Sequence, residues 1–315
     1  MRVLSLTLAT GWLAGLLAFA PAGPPSPRRE FRPAAGNGRV ATFSATGHLV
    51  AVSGGAAPVA VFETRTGLLL RTYAGHAQPV TDVAFAPNPD TVLSADAAGH
   101  ARLWSAETLM NLAHWQAPAP LLAVAFAPGG GRALLASAGT CWLWNLRAPG
   151  APVPLKLTLP AKSSITAIAF GAEGRQLALG FDTGVVLVVD LASQAQTSQA
   201  LSTAPIRSLC LRADTLLAAT GGPDLKIWPA RADAAVAALH LPLALNAVAL
   251  DATGRMLALG FATGETMLWS RAGNRAGQVF QGTGPARHVQ FQPEGAALVL
   301  TSYEAGGPKT WLVQE

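Results

Sequence analysis

At 315 residues the chain is long enough to bury a sizeable core, as one large domain or two ordinary ones. Half of the residues are hydrophobic and only 12% are charged, against roughly 25% in an average globular protein. That excludes a disordered chain and points to a surface of Ala, Gly, Ser and Thr. The net charge of +5 (pI ≈ 9.8) comes without the basic, aromatic-studded stripe of a nucleic-acid binder, so no nucleic-acid partner is expected. The one tight cluster, Arg28, Arg29 and Arg32, is interrupted by Glu30 and reads as a solvated flank.

Residues 1–22 differ from the rest. Arg2 gives a short positive end, residues 3–20 are uncharged and finish in WLAGLLAFA, and Ala20-Pro21-Ala22 offers a small-x-small cleavage site before Gly23. This is the form of a secretory signal peptide. It places the mature chain in a periplasmic or secreted compartment, with no stable membrane insertion after cleavage. The competing reading is an uncleaved anchor, because the uncharged run reaches about the lower limit of a spanning helix. No cysteine lies near the site, so a lipid-modified cysteine is excluded. Residues 23–35 carry four prolines and look extended; the propeller domain is read as 23–315, with 23–27 as lead-in and 28–315 as the propeller.

From there the chain repeats itself. Short apolar strands alternate with turn signals, and helical periodicity is absent. The first strand of each unit ends at Phe43, Phe85, Phe126, Phe170, Leu211, Leu250 and Phe291, in steps of about 40 residues. Glycine follows four residues later at Gly47, Gly130, Gly174, Gly254 and Gly295. A second glycine opens the third strand five residues before a large anchor, as Gly99 precedes Trp104, Gly184 precedes Val189 and Gly264 precedes Trp269. The anchors run Phe62, Trp104, Trp144, Val189, Trp228, Trp269 and Trp311. Two independent landmarks therefore count seven units.

The best-kept unit, 75–104, joins a Gly75-His76 pair to a strand ending in Trp104, and on these residues the chain resembles the WD-repeat β-propeller family. The resemblance implies an all-β, seven-bladed propeller of four-stranded antiparallel blades. In better-kept blades of that family a polar network joins the His, a Ser or Thr of the second strand, an Asp of the next turn and the Trp. Carried over, the roles fall on His76, Ser94 and Trp104, while the Asp position holds Ala98. The equivalent places elsewhere hold Thr183 and Thr263, so blade stability is expected to come mainly from apolar packing. The last unit ends after a third strand, and residues 29–33 stand where an outer strand should precede the first. The N-terminal strand is expected to pair with the last blade and close the ring.

Chemistry is sparse. Cys141 and Cys210 lie a blade apart and read as small buried hydrophobes rather than a disulfide. Gly36-Asn37-Gly38-Arg39-Val40-Ala41 mimics a dinucleotide fingerprint but precedes a strand and opens no helix. No zinc or haem spacing, nucleophile elbow or phosphate loop is present, and no metal or cofactor is expected. Asp82 and Asp96 near His76 could do acid–base work, yet they occupy strand and turn positions, which favours a structural role. Arg207, Asn246 and Arg287 share one offset in three inner strands and are candidates for a binding face. The expected role is a non-catalytic exported scaffold, a monomeric propeller holding a protein or peptide partner. The alternative is a propeller enzyme or redox accessory with its site in the central channel.

Overall fold

The computed structural model describes residues 27–33, 38–54, 56–88, 90–148, 150–212, 215–229, 235–271, 275–293, 298–304 and 307–313. The proposed leader, residues 1–22, lies outside them, as do Gly36, Asn37 and Gly295. The first strand, β1 (Arg29–Glu30), belongs to the last blade. Blade 1 is β2 (Gly38–Phe43), β3 (Leu49–Gly54), β4 (Ala56–Glu63) and β5 (Leu69–Tyr73). Blade 2 is β6 (Val80–Phe85), β7 (Thr91–Asp96), β8 (His100–Ser105) and β9 (Asn111–Gln116). Blade 3 is β10 (Ala123–Phe126), β11 (Arg132–Ala136), β12 (Cys141–Asn145) and β13 (Val153–Pro154). Blade 4 is β14 (Ile165–Phe170), β15 (Gln176–Phe181), β16 (Val185–Asp190) and β17 (Gln196–Ala200). Blade 5 is β18 (Ser208–Arg212), β19 (Thr215–Ala219), β20 (Asp224–Pro229) and β21 (Ala237–His240). Blade 6 is β22 (Leu245–Leu250), β23 (Met256–Phe261), β24 (Glu265–Ser270) and β25 (Arg275–Gln281). Blade 7 is β26 (Ala286–Phe291), β27 (Leu298–Tyr303), β28 (Lys309–Leu312) and β1. The protein is a seven-bladed antiparallel propeller.

The strand sequences follow from where each lies in its blade. Second strands are packed on both faces by neighbouring blades, so they are mostly apolar; β3, β7, β15 and β23 are each buried along five consecutive residues, with Ser53, Ser94 and Asp96 as buried exceptions in β3 and β7. Outer strands face solvent on one side and are mostly exposed, as in β9. Between the turns, Gly184 shows why glycine recurs. Its φ is +78°, and a Cβ there would lie 2.1 Å from the Ser202 carbonyl oxygen.

The core is divided between the blades, with one apolar cluster at each of the seven interfaces among the described residues. Aromatic side chains recur across these interfaces. Tyr73 of blade 1 stacks on Trp104 of blade 2 with ring centroids 4.2 Å apart, and Phe280 of blade 6 stacks on Trp311 of blade 7 at 4.9 Å.

The ring closes through the N-terminal strand. Arg29 pairs with Thr310 and Glu30 with Lys309, and the Arg28 and Phe31 amides extend the ladder to the Thr310 and Pro308 carbonyls, each at 2.8 Å. Phe31 is fully buried and meets Phe62 of blade 1 edge-on at 5.5 Å, the closing counterpart of the stacks above. The clasp is tight: a Cβ on Gly307 would lie 2.3 Å from the Phe31 carbonyl oxygen. Both thiols are free, with Cys141 in β12 and Cys210 in β18, and burial pushes the Cys141 thiol up to about 12.

All inner strands run the same way around the ring, which gives the propeller two distinct ends. The links between blades and the turns from second to third strand lie at one, the crossover face. The turns from first to second and from third to fourth strand lie at the other, the hairpin face.

Candidate functional site

Blade 2 holds the densest polar cluster. His76 sits in the link before β6, Ser94 in β7 and Trp104 in β8. The Trp104 indole donates to Ser94 Oγ at 3.1 Å, Ser94 Oγ lies 2.7 Å from His76 Nε2, and His76 Nδ1 lies 2.9 Å from Asp96 Oδ2. The chain of donors assigns the tautomer: the hydroxyl donates to Nε2, and Nδ1–H donates to the carboxylate. The acid the Ala98 position lacks is therefore supplied two residues earlier. Asp96 ends β7, and its carboxylate also accepts the Ala98 and His100 amides at 3.0 and 2.9 Å, so one side chain builds the turn and fixes the imidazole. Burial opposes its charge. The hydrogen bonds from His76 and His100 outweigh that and hold it below the usual carboxylate range. Burial also lowers His76, which stays neutral.

Ser94, His76 and Asp96 have the connectivity of a hydrolytic triad, but their surroundings oppose that role. Ser94 and Asp96 are 0% exposed and His76 is 5% exposed. The Ser94 oxygen already accepts the indole N–H, and burial leaves no path to it for a substrate. In blade 5 the place of Ser94 holds Ala218, and the buried Trp228 N–H lacks an acceptor. Apolar packing serves there without the network.

A second set of polar groups lines the inner strands and stitches blades together. Thr81 donates to the Leu121 carbonyl at 2.8 Å, and Thr166 to that of Ile206 at 2.6 Å. Asp82 accepts the Val83 and Val124 amides at 2.8 Å each, Ser208 accepts that of Val248 at 3.3 Å, and Gln290 accepts that of Phe43 across the closing interface at 3.0 Å. Asp82 thus ties blade 2 to blade 3. Desolvation pushes it up to about 7, against the two amides that favour its charged form.

That raised value has a sign in pH. The folded chain holds the Asp82 proton more tightly than the unfolded chain. The resulting stabilisation is full below the ordinary value of 3.8 and is lost as pH rises through about 7. His76 and His288, kept neutral by burial, act oppositely: their stabilisation is present above 6.5 and is lost as pH falls below it. Asp82→Asn is therefore expected to gain thermal midpoint relative to the parent as pH rises from about 4 to about 7. Parallel curves of midpoint against pH for the two proteins would rule the effect out.

Arg207, Asn246 and Arg287 take the register position of Thr81 and Thr166, at the crossover-face end of the inner strands. In blades 2, 4, 6 and 7 this position is a β-bulge, which turns the side chain out of the ladder. Arg207 and Arg287 are exposed and Asn246 is half-buried. The two arginines stay with their own blades: Arg287 pairs with Glu304, and a Cβ on Gly221 would meet the Arg207 guanidinium at 3.3 Å. The structure sets them on one face without joining them into a single pocket. Among the described residues no group of three or more His, Cys, Asp or Glu could hold a metal ion. Two clefts, of about 410 and 300 Å³, flank the Gly129–Gly131 turn on the hairpin face, and Arg147 lines both.

Comparison with known proteins agrees with this geometry. Residues 67–105 match the WD domain, G-beta repeat family. The matched segment includes His76, Ser94, Asp96 and Trp104. This stretch, β5 of blade 1 followed by β6–β8 of blade 2, matches one WD repeat. The whole ring is similar to the crystal structure of the Cps50 (Swd1) beta-propeller domain of Myceliophteria thermophila, with a TM-score of 0.78 and 20% identity. That likeness covers 91% of this chain and 99% of that one, and at such identity it speaks for the fold. No curated protein matches the chain. In the WD-repeat blade, the polar constellation that looked most chemical is the one bound into the framework.

Proposed function

We propose that this WD-repeat propeller is a non-catalytic scaffold, exported from the cytoplasm, which holds a protein or peptide partner on its crossover face. The observation that carries the reading is the burial of the Ser94–His76–Asp96 cluster: the side chains best suited to acid–base or nucleophilic work are closed off by the framework. What remains open at the crossover face is a surface of Pro, Ala and Leu with a few charged side chains, among them the Arg287–Glu304 pair. Arg207 and Arg287 are exposed there, as is Leu122, which occupies the same register position in blade 3. Such a surface suits a partner that offers apolar anchors with a few acceptors. Export rests on the leader-like residues 1–22.

Affinity capture of the mature protein with crosslinking, followed by identification of what it holds, tests the reading. The Arg207→Glu/Arg287→Glu double variant should bind the captured partner at least about tenfold more weakly while melting like the parent. Undiminished capture by the variant would remove these residues from the interface. N-terminal sequencing addresses export, with a start at Gly23 expected; an intact Met1 or Arg2 overturns cleavage.

A further inference from the structure

The hairpin face differs from the crossover face in what it exposes. Six arginines scattered through the sequence collect there: Arg132, Arg147, Arg175, Arg212, Arg255 and Arg271, on the first-to-second or third-to-fourth strand turns of blades 3–6. Three of them bond neighbouring turn carbonyls among the described residues. Arg132 reaches Gly174, Arg212 reaches Asp251 and Ala252, and Arg271 reaches Gly254, contacts that orient the guanidinium without cancelling its charge. The described acids on this arc are Glu173, Asp190 and Asp251. The last two are committed to their own turns, where they accept backbone amides.

Blades 1 and 2 complete the face differently. Leu68 and Leu70 of blade 1 and Met110 and Leu112 of blade 2 occupy equivalent places at the start of the outer strands, and are 61%, 39%, 64% and 54% exposed. Asp90 and Glu107 stand on the same face of blade 2, so the cationic arc begins only at blade 3. The chain enters the propeller at this end too. Arg28 begins the outer strand of blade 7 here, and Arg29 donates to the Arg65 carbonyl in the turn that leads to Leu68.

We infer that the hairpin face is a peripheral docking surface for an anionic phospholipid bilayer. Its occupant is argued from two features of one face: guanidiniums that no described acid neutralises one for one, and an apolar rim of exposed Leu and Met side chains. Interfacial binding combines buried apolar area with attraction to anionic headgroups, and this face offers both. Contact is peripheral, since among the described residues no helix is long and apolar enough to cross a membrane. It leaves the crossover face free for a protein partner.

The test is vesicle flotation of the chain from Gly23 onward, which keeps every described element and removes the leader's own affinity for lipid. Vesicles of phosphatidylglycerol mixed with phosphatidylcholine are compared with phosphatidylcholine alone, at low and high salt. Preferential, salt-sensitive binding to the anionic vesicles is expected. Arg147→Glu/Arg175→Glu/Arg255→Glu should lower the partition coefficient about a hundredfold. Leu68→Ser/Met110→Ser should weaken binding at high salt, where the apolar term remains. All variants should melt like the parent, because the substituted side chains are exposed. Equal binding to both vesicles, or none to either, overturns the inference. Loss of a captured acidic protein by the triple-arginine variant, without vesicle binding by the parent, would reassign the face to that protein.

Discussion

Trp104→Ala is expected to cost about 3–5 kcal/mol of folding stability, among the largest effects of any single exposed-to-core survey of this ring. The indole is fully buried, stacks on Tyr73 across the interface of blades 1 and 2, and donates to Ser94. Truncation removes the stack, leaves a cavity between two sheets and takes away the donor that orients the Ser94 hydroxyl. Trp104→Phe separates these contributions. It keeps an aromatic face against Tyr73 and loses the N–H, so it should cost about 1 kcal/mol beyond the change in packing. Equilibrium denaturation of both variants measures the effect. An unchanged midpoint for the alanine variant would mean that Trp104 is not an interface anchor.

The second large effect concerns closure. Phe31→Ala should destabilise by about 3–5 kcal/mol, because the ring is fully buried against Phe62 where the last blade meets the first. Deleting residues 24–34 should cost more. It removes the same ring together with the ladder from β1 to β28, and it opens a strand edge that can pair with other chains. Loss of midpoint in both variants, with concentration-dependent aggregation in the deletion alone, is the expected pattern. A deletion as stable and soluble as the parent would show that the ring holds without its clasp. Since β1 pairs through only two residues, the comparison also weighs backbone pairing against the buried aromatic ring.

Much of the architecture was legible because propeller blades are built from local signals at a fixed period. The seven inner-strand ends, the glycine turns and the anchors all stand in register along the chain. A strand packed on both faces is mostly apolar, so second strands such as Leu177–Leu179 declared themselves. The clasp could be anticipated from an unfinished last unit and a spare strand ahead of the first. Phe31 itself gave no signal, because its partner Phe62 is a neighbour only after the ring closes.

The site was less legible, and Asp96 shows why. Read by position, the network lacked its acid at Ala98; in the folded turn a carboxylate two residues earlier reaches the same imidazole. Spacing identifies a position, whereas a hydrogen bond needs only an oxygen in the right place. The arginines were hidden differently. Arg132, Arg175, Arg212 and Arg255 recur at about the blade period, with Arg147 and Arg271 on the other turn of the same blades, so no local window shows a cluster and a search at the blade period was the signal that could have found them.

The sequence by itself determined the number of blades, their strand order and the anchors, because these depend on periodicity and on which residues tolerate water. Only the tertiary structure decided which polar groups meet. It buried Ser94, His76 and Asp96 together, carried Asp82 to the Val124 amide of the next blade, and gathered distant arginines on one face. Those outcomes depend on distances across blade interfaces, which exist only once the ring has closed.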